Sequence, residues 1–285
     1  MREFKIGFTG AALTEAIEWI DERTDAKSIC VPFAGSCKVI AALAKPGVTI
    51  ESWDTQIISR AIVEGVFNVP EIETAIDKPR YKKGHMYETR AIAGIDERCA
   101  GFIDYVGAHG TLADKVAIFS SVVRSSNMGR MTEWSKSSGM AELWYKFEKN
   151  RDYLAQFTNL PGTFIHHEAS VFETVPVGPY DLLHVDPPKV VSSSDIYSAN
   201  YQHLNIALGG KCEVPKWGWR DTVGYMRNIF KLDAETITLL YVSDVTPTLD
   251  TLKKVLSDYA TIQDVLRLLH RARYDYTILA RKEGK

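Results

Sequence analysis

Cysteine is scarce in this chain and scattered where it occurs. Cys30, Cys37, Cys99 and Cys212 are spread over 285 residues with no CxxC pair and no histidine pattern nearby. That excludes a disulfide framework, argues against a zinc site, and is what reduced cytoplasmic thiols look like. Long apolar runs are missing: none approaches the roughly 20 residues that a bilayer span needs. The N-terminus opens with charges, so neither a signal peptide nor a membrane partner is expected, and the expected compartment is the cytoplasm. An excess of one charge is missing too. Against 34 Lys and Arg stand 36 Asp and Glu, a net charge of −2, so any contact with nucleic acid must come from local clusters. The phosphate-binding GxxxxGK[ST] loop, internal repeats, low-complexity tracts and a Ser-His-Asp or Cys-His arrangement with supporting spacing are all lacking.

What is present fits one large α/β domain with an inserted lobe, in a chain 45% hydrophobic and 25% charged. Leu13, Ile17 and Ile20 have helical spacing over residues 11–23. Residues 28–34 form a short apolar run entering Gly35-Ser36, and 37–44 read as a small-residue helix. Residues 48–53 form a second strand ending in Asp54, followed by an amphipathic helix to about Phe67. Strand, turn, helix and strand in this order make a βαβ unit with a parallel sheet. Helical periodicity dominates residues 70–160, with basic, turn-rich interruptions at 78–84 and 124–139. Strands resume at 163–167, 181–186 and 236–242, and 261–269 with 274–280 reads as an antiparallel pair closing the sheet.

The most informative stretch is Pro179 to Lys189. Its apolar run stops at Asp186-Pro187-Pro188, which reads as a buried parallel strand delivering a carboxylate to its carboxyl edge, where open α/β sheets bind ligands. The prolines donate no backbone hydrogen bond, so their carbonyls remain acceptors. A carboxylate beside a rigid carbonyl suits an exocyclic amino group on a planar base. The plain alternative is a strand end with a Pro-Pro stop. Phe33-Ala34-Gly35-Ser36-Cys37 lets a ligand approach the backbone at a helix N-terminus, and Asp54 is placed for a ribose diol. Arg124, Ser126, Asn127, Arg130 and Lys136 supply phosphate-binding and base-reading side chains, although such clusters are usually solvated. His166 and His167 are neighbours on one strand and so point to opposite faces, which disfavours a shared metal. Ser243 and Asp244 end another strand, as pocket residues or as a helix cap.

In this order, the parts resemble the Dam-type family of DNA adenine-N6 methyltransferases. Phe8-Thr9-Gly10-Ala11 stands where that family has an N-terminal turn touching S-adenosylmethionine. Pro32-Phe33-Ala34-Gly35-Ser36-Cys37 resembles its Pro-Phe-x-Gly-x-Gly cofactor loop, and Asp54 falls at its ribose-binding acid. Residues 124–130 are similar to its Arg-rich recognition segment. Asp186-Pro187-Pro188-Lys189 matches Asp-Pro-Pro-Tyr except at the last position. The resemblance implies a Rossmann-like class I methyltransferase sheet, mostly parallel with an antiparallel C-terminal hairpin. Residues 1–70 and 160–285 would form the catalytic domain and 71–159 a helical DNA-recognition insertion. Thr9, Gly10, Phe33, Ala34, Gly35, Ser36 and Asp54 would hold S-adenosylmethionine. Asp186, Pro187, Pro188 and Lys189 would act on an adenine flipped from double-stranded DNA, with no metal.

The sequence departs from the family at Lys189, which replaces a stacking aromatic, and at Cys37, in place of the loop's second glycine. Val31, Ala12 and Val171 or Ser170 replace a common acid, the usual lysine and the adenine-contacting Asp. A lysine about 6 Å from a nitrogen gaining positive charge repels it by on the order of 2–3 kcal/mol at an effective dielectric of about 20. These departures keep two other readings open. One is a catalytically silent methyltransferase-fold protein that binds DNA or a protein partner, and the other is a methyltransferase for RNA or another substrate.

Overall fold

The computed structural model describes residues 4, 13–92, 95–125, 139–187, 194–213, 219–242, 248–270 and 273–283. The elements are α1 (Leu13–Asp21), β1 (Ser28–Val31), α2 (Lys38–Leu43), β2 (Thr49–Asp54) and α3 (Ile57–Ile62), which runs into a π-turn at Val63–Phe67. A 3-10 turn (Glu88–Ala91) leads to α4 (Glu97–His109), α5 (Leu112–Ser125) and α6 (Gly139–Leu154). Then come β3 (Thr163–Glu168), β4 (Tyr180–Val185), α7 (Ser194–Ala207), α8 (Trp219–Phe230) and β5 (Ala234–Val242). The chain ends with α9 (Leu249–Ser257), β6 (Thr261–His270) and β7 (Arg273–Arg281).

Seven strands form one sheet in the order β3-β2-β1-β4-β5-β7-β6. The first five are parallel, and β7 runs antiparallel to both β5 and β6. This is the Rossmann-like sheet that the sequence led us to expect, mostly parallel with an antiparallel closing hairpin. Central strands are apolar on both faces because helices cover both. On β4, Leu182 joins one apolar cluster with Ile29, Ile50 and Ile40, while Leu183 and Val185 join the other with Met226, Phe230 and Leu256. Helices α4 to α6 share the first cluster through Phe102, Ile118 and Phe147.

Local chemistry explains several boundaries. β1 stops at Val31, short of the expected Ala34, because Pro32 has no N–H for the ladder. α2 begins one residue late because Cys37 is left-handed, φ 54°. α5 opens on a capping box: Asp114 N–H donates to Thr111 Oγ1 and Thr111 N–H to Asp114 Oδ2, both at 3.1 Å. At the amino edge of the sheet, Asp181 accepts the backbone N–H groups of Lys27 at 2.6 Å and Ser28 at 2.8 Å, which pins the start of β4 to the start of β1. Among the described residues, no helix is long and apolar enough to cross a membrane.

Candidate active site

The strand order reverses between β1 and β4: the chain steps from β1 to β2 on one side, while β4 and β5 lie on the other. In parallel sheets such a switch opens a crevice beyond the carboxyl ends of the two strands. β1 and β4 are direct neighbours, with Cys30 in register with Leu183. The turn after Val31 and the Asp186-Pro187 step after Val185 therefore leave the sheet side by side. Asp186 is half-buried and Pro187 buried.

The turn on β1 is tightly built. Ala34 N–H donates to the Trp53 carbonyl at 2.9 Å, tying it to the end of β2, and Cys37 N–H returns to the Ala34 carbonyl at 2.8 Å. Gly35 has φ 50°, in the left-handed region where a side chain is strained, and no heavy atom lies within 4 Å of where its Cβ would stand. The backbone there faces open space. Asp54, the acid ending β2, accepts Gly35 N–H at 2.7 Å on one oxygen and Gln56 N–H at 2.9 Å on the other. Burial pushes its carboxyl above the usual range, and these backbone donors work against that shift. The Ser59 side chain and the Thr55 backbone N–H also act on this carboxyl and favour its charged form. Ser59 Oγ donates to the Gly35 carbonyl at 2.6 Å and completes the turn.

Cys37 holds the left-handed conformation at φ 54°, which glycine adopts at lower cost. Its thiol points inward, 3.5 Å from the Ser59 carbonyl, and burial raises its pKa well above the ordinary thiol value.

A cleft of about 550 Å³ lies beside this edge, lined by Thr55, Ser170, Phe172, Tyr225, Cys212 and Lys211, with Glu173 and Glu213 also on its wall. Phe172 stacks on Tyr225 with ring centroids 4.3 Å apart and faces Phe33 at 6.5 Å, giving a flat aromatic wall at the end of β3. Glu168 organises the opposite rim: it accepts Lys211 N–H at 2.8 Å, pairs with Arg60 at 3.2 Å, and its carbonyl lies 3.0 Å from Cys212 Sγ. Asp186 is not among the described residues that line this cleft, which lies on the β2–β3 side. Phe172, Tyr225, Cys212 and Glu168 carry no motif, and the sequence alone did not single them out.

The histidines part as expected. His166 meets Ser52 Oγ at 3.0 Å and His167 meets Glu51 at 2.8 Å, on opposite faces of the sheet. Glu51 also accepts the Tyr180 hydroxyl at 2.6 Å, and His167 stacks on Trp53 at 4.5 Å. Burial lowers the His166 pKa to about 3, helped by His167 and Arg60. Thr9, Gly10, Ser126, Asn127, Arg130, Lys136, Pro188, Lys189, Ser243 and Asp244 lie outside the described residues. Arg124 lies near the end of α5.

No family profile and no curated protein matches the chain. Solved structures do. Magnesium protoporphyrin IX methyltransferase (ChlM) from Synechocystis PCC 6803, with bound SAM, is 10% identical over 95% of this chain and 77% of its own, TM-score 0.40. TrmN from Thermus thermophilus is 10% identical over 95% of this chain and 48% of its own, TM-score 0.36. A methyltransferase from Pyrococcus furiosus is 14% identical over 50% and 59%, TM-score 0.28.

Proposed function

We propose that the chain transfers a methyl group from S-adenosylmethionine to the N6 amino group of adenine in double-stranded DNA. One observation carries the reading: the open-faced Gly35 turn and the Asp186-Pro187 step leave neighbouring strands at the switch point of the sheet. The cofactor supplies an electrophilic methyl on a sulfonium. Asp54, which ends β2 beside the open-faced Gly35 turn, would meet its ribose hydroxyls. The wall of Phe172 and Tyr225, with Ser170 and Thr55 beside it, suits a flat heteroaromatic ring with polar edges. Asp186 and the Pro187 carbonyl would accept the two N–H bonds of the flipped base and aim the nitrogen lone pair, so that acceleration comes from positioning and electrostatics. Residues 71–159 would carry the DNA-recognition surface, with Arg124, Ser126, Asn127, Arg130 and Lys136 on the duplex.

A catalytically silent protein of the same fold is the second reading. It is favoured by the way both Asp54 oxygens already serve the protein's own backbone and by Cys37 standing in the glycine position. A calorimetric titration with S-adenosylmethionine separates the two, followed by transfer of labelled methyl to duplex DNA and to RNA. Donor binding with label in duplex adenine is the expected result. Absence of donor binding at millimolar concentration would establish the silent reading, and label in RNA alone would move the substrate.

A further inference from the structure

Between the π-turn and the 3-10 turn the chain carries Lys78, Arg80, Lys82 and Lys83, with no Asp or Glu from residue 78 to residue 87, although the whole chain is at −2. Every residue from 77 to 86 is exposed. The turn is nevertheless firmly built. Tyr87 Oη donates to the Lys82 carbonyl at 2.8 Å, His85 N–H reaches the same carbonyl at 3.2 Å, and Gly84 N–H donates to Glu97 at 2.6 Å. Tyr81 and Tyr87 press on α4 so closely that a Cβ on Gly101 would stand 2.6 Å from Tyr81 Cβ. Asp104 holds the exit by accepting Glu88 N–H at 2.6 Å.

Arg80 is spoken for, 3.6 Å from Asp77 and stacked over Tyr105. Among the described residues, no carboxylate comes within ion-pair distance of Lys78, Lys82 or Lys83. Holding like charges close together on a fixed turn is unfavourable until an anion arrives, and it raises the local potential that draws one in. Tyr81 and Met86 stand exposed among them, 47% and 93%. Cations interleaved with aromatic and apolar side chains are the composition of a nucleic-acid surface. The foot of the turn also meets the proposed catalytic side: Glu88 pairs at 2.7 Å with His203 on α7, the helix that follows Asp186 to Lys189.

We infer that this turn docks on the phosphate backbone of duplex DNA, a contact separate from the 124–136 segment. The inference rests on the duplex substrate proposed above and adds where its backbone is gripped. The test compares the full chain with the triple variant Lys78→Gln, Lys82→Gln, Lys83→Gln, measuring duplex affinity from about 50 to 200 mM salt. Three lost phosphate contacts should lower the log–log salt slope by about 2.7, so wild-type affinity falls about 40-fold more steeply than the variant's across that range. The triple Lys→Arg variant should restore the slope, and unchanged melting of both variants excludes misfolding. A wild type that binds duplex with the same slope as the Gln variant would overturn this inference alone. A wild type that binds the methyl donor but no duplex would overturn the substrate reading together with it. Loss of binding to anionic lipid vesicles with duplex affinity unchanged would reassign the turn to a membrane surface and also overturn it.

Discussion

Asn205 Oδ1 accepts the backbone N–H of Ile57 at 2.7 Å, so a side chain on α7 caps the first turn of α3 from another part of the chain. Its amide nitrogen donates in turn to the Cys212 carbonyl at 2.8 Å, and its own carbonyl accepts Gly210 N–H at 2.8 Å. Helix N-termini leave backbone donors unpaired, and a local Ser, Thr, Asp or Asn normally satisfies one. Here Gln56 occupies the N-cap position without a side-chain bond. The helix after Asp54 and the helix after the Asp-Pro-Pro-Lys segment are thereby clamped together beside the cleft.

Replacing Asn205 by Ala leaves the buried Ile57 N–H and the half-buried Cys212 carbonyl without this partner. The expected loss is about 2–3 kcal/mol, from one missing cap and one unsatisfied buried group. Urea denaturation should show the midpoint falling at unchanged m-value. A midpoint within error of wild type would mean that water replaces the amide.

The clamp also marks where sequence reading ends. The parallel strands, the carboxylate at the end of β4 and the closing hairpin were legible because each is written in a local apolar pattern, which at β1, β2 and β4 meets a Pro or Asp stop. The opposite facing of His166 and His167 followed from strand periodicity alone. Asn205 with Ile57, Phe172 with Tyr225, and Glu51 with Tyr180 join segments more than 50 residues apart, and no local spacing announces them. Boundaries slipped for definite reasons. Pro32 shortened β1, and Cys37 took a left-handed turn whose glycine-like backbone the letter Cys conceals.

Thiol reactivity tests the cleft directly. Cys30, Cys37 and Cys99 are buried and Cys212 is partly exposed on the cleft wall. Burial raises the pKa of all four, that of Cys99 to about 11, and nearby carboxylates add to the shift at Cys212. The thiolate is the reactive form, so native labelling should be slow and should stop at one thiol. Ellman's reagent should count one reactive group in the folded protein and four in urea. Saturating S-adenosylmethionine should protect the single one. Full labelling without denaturant would contradict the packing around Cys37, and unprotected Cys212 would place the donor elsewhere.

His184 makes stability depend on pH with a definite sign. It is 1% exposed on β4, with Nδ1 2.9 Å from Thr238 Oγ1, and Nε2 is buried without a partner among the described residues. Burial lowers its pKa to about 4 from 6.5. The folded pKa lies below the unfolded one, so between those values the unfolded chain binds a proton that the native chain refuses. Its contribution is therefore complete above about pH 6.5 and is lost as pH falls toward 4, on the order of 3 kcal/mol in total. Denaturation curves at pH 7 and pH 4.5 should show a smaller acid loss in His184→Gln than in wild type. Equal losses would mean that the ring is protonated in the native state.

Asp186 follows β4 directly, at the end of a strand whose beginning is pinned by Asp181 and whose middle is buried on both faces. Strand register is set by those contacts, so Asp186→Ala should still fold to the native sheet, with wild-type far-UV circular dichroism as the check. If the carboxylate holds the amino group of the target base, its loss removes both orientation and a charge-assisted acceptor from the transition state. Methyl transfer should then fall by at least about 10²–10³-fold. Asp186→Asn should be impaired less than Asp186→Ala, because the amide oxygen still accepts an N–H but without the negative charge. Donor affinity should stay within about twofold in both variants, since Asp186 follows β4 rather than the Gly35 turn and is outside the cleft beside Phe172. Undiminished transfer in Asp186→Ala would remove the residue from the chemistry, whereas a parallel loss of donor binding and stability would make it a structural strand end.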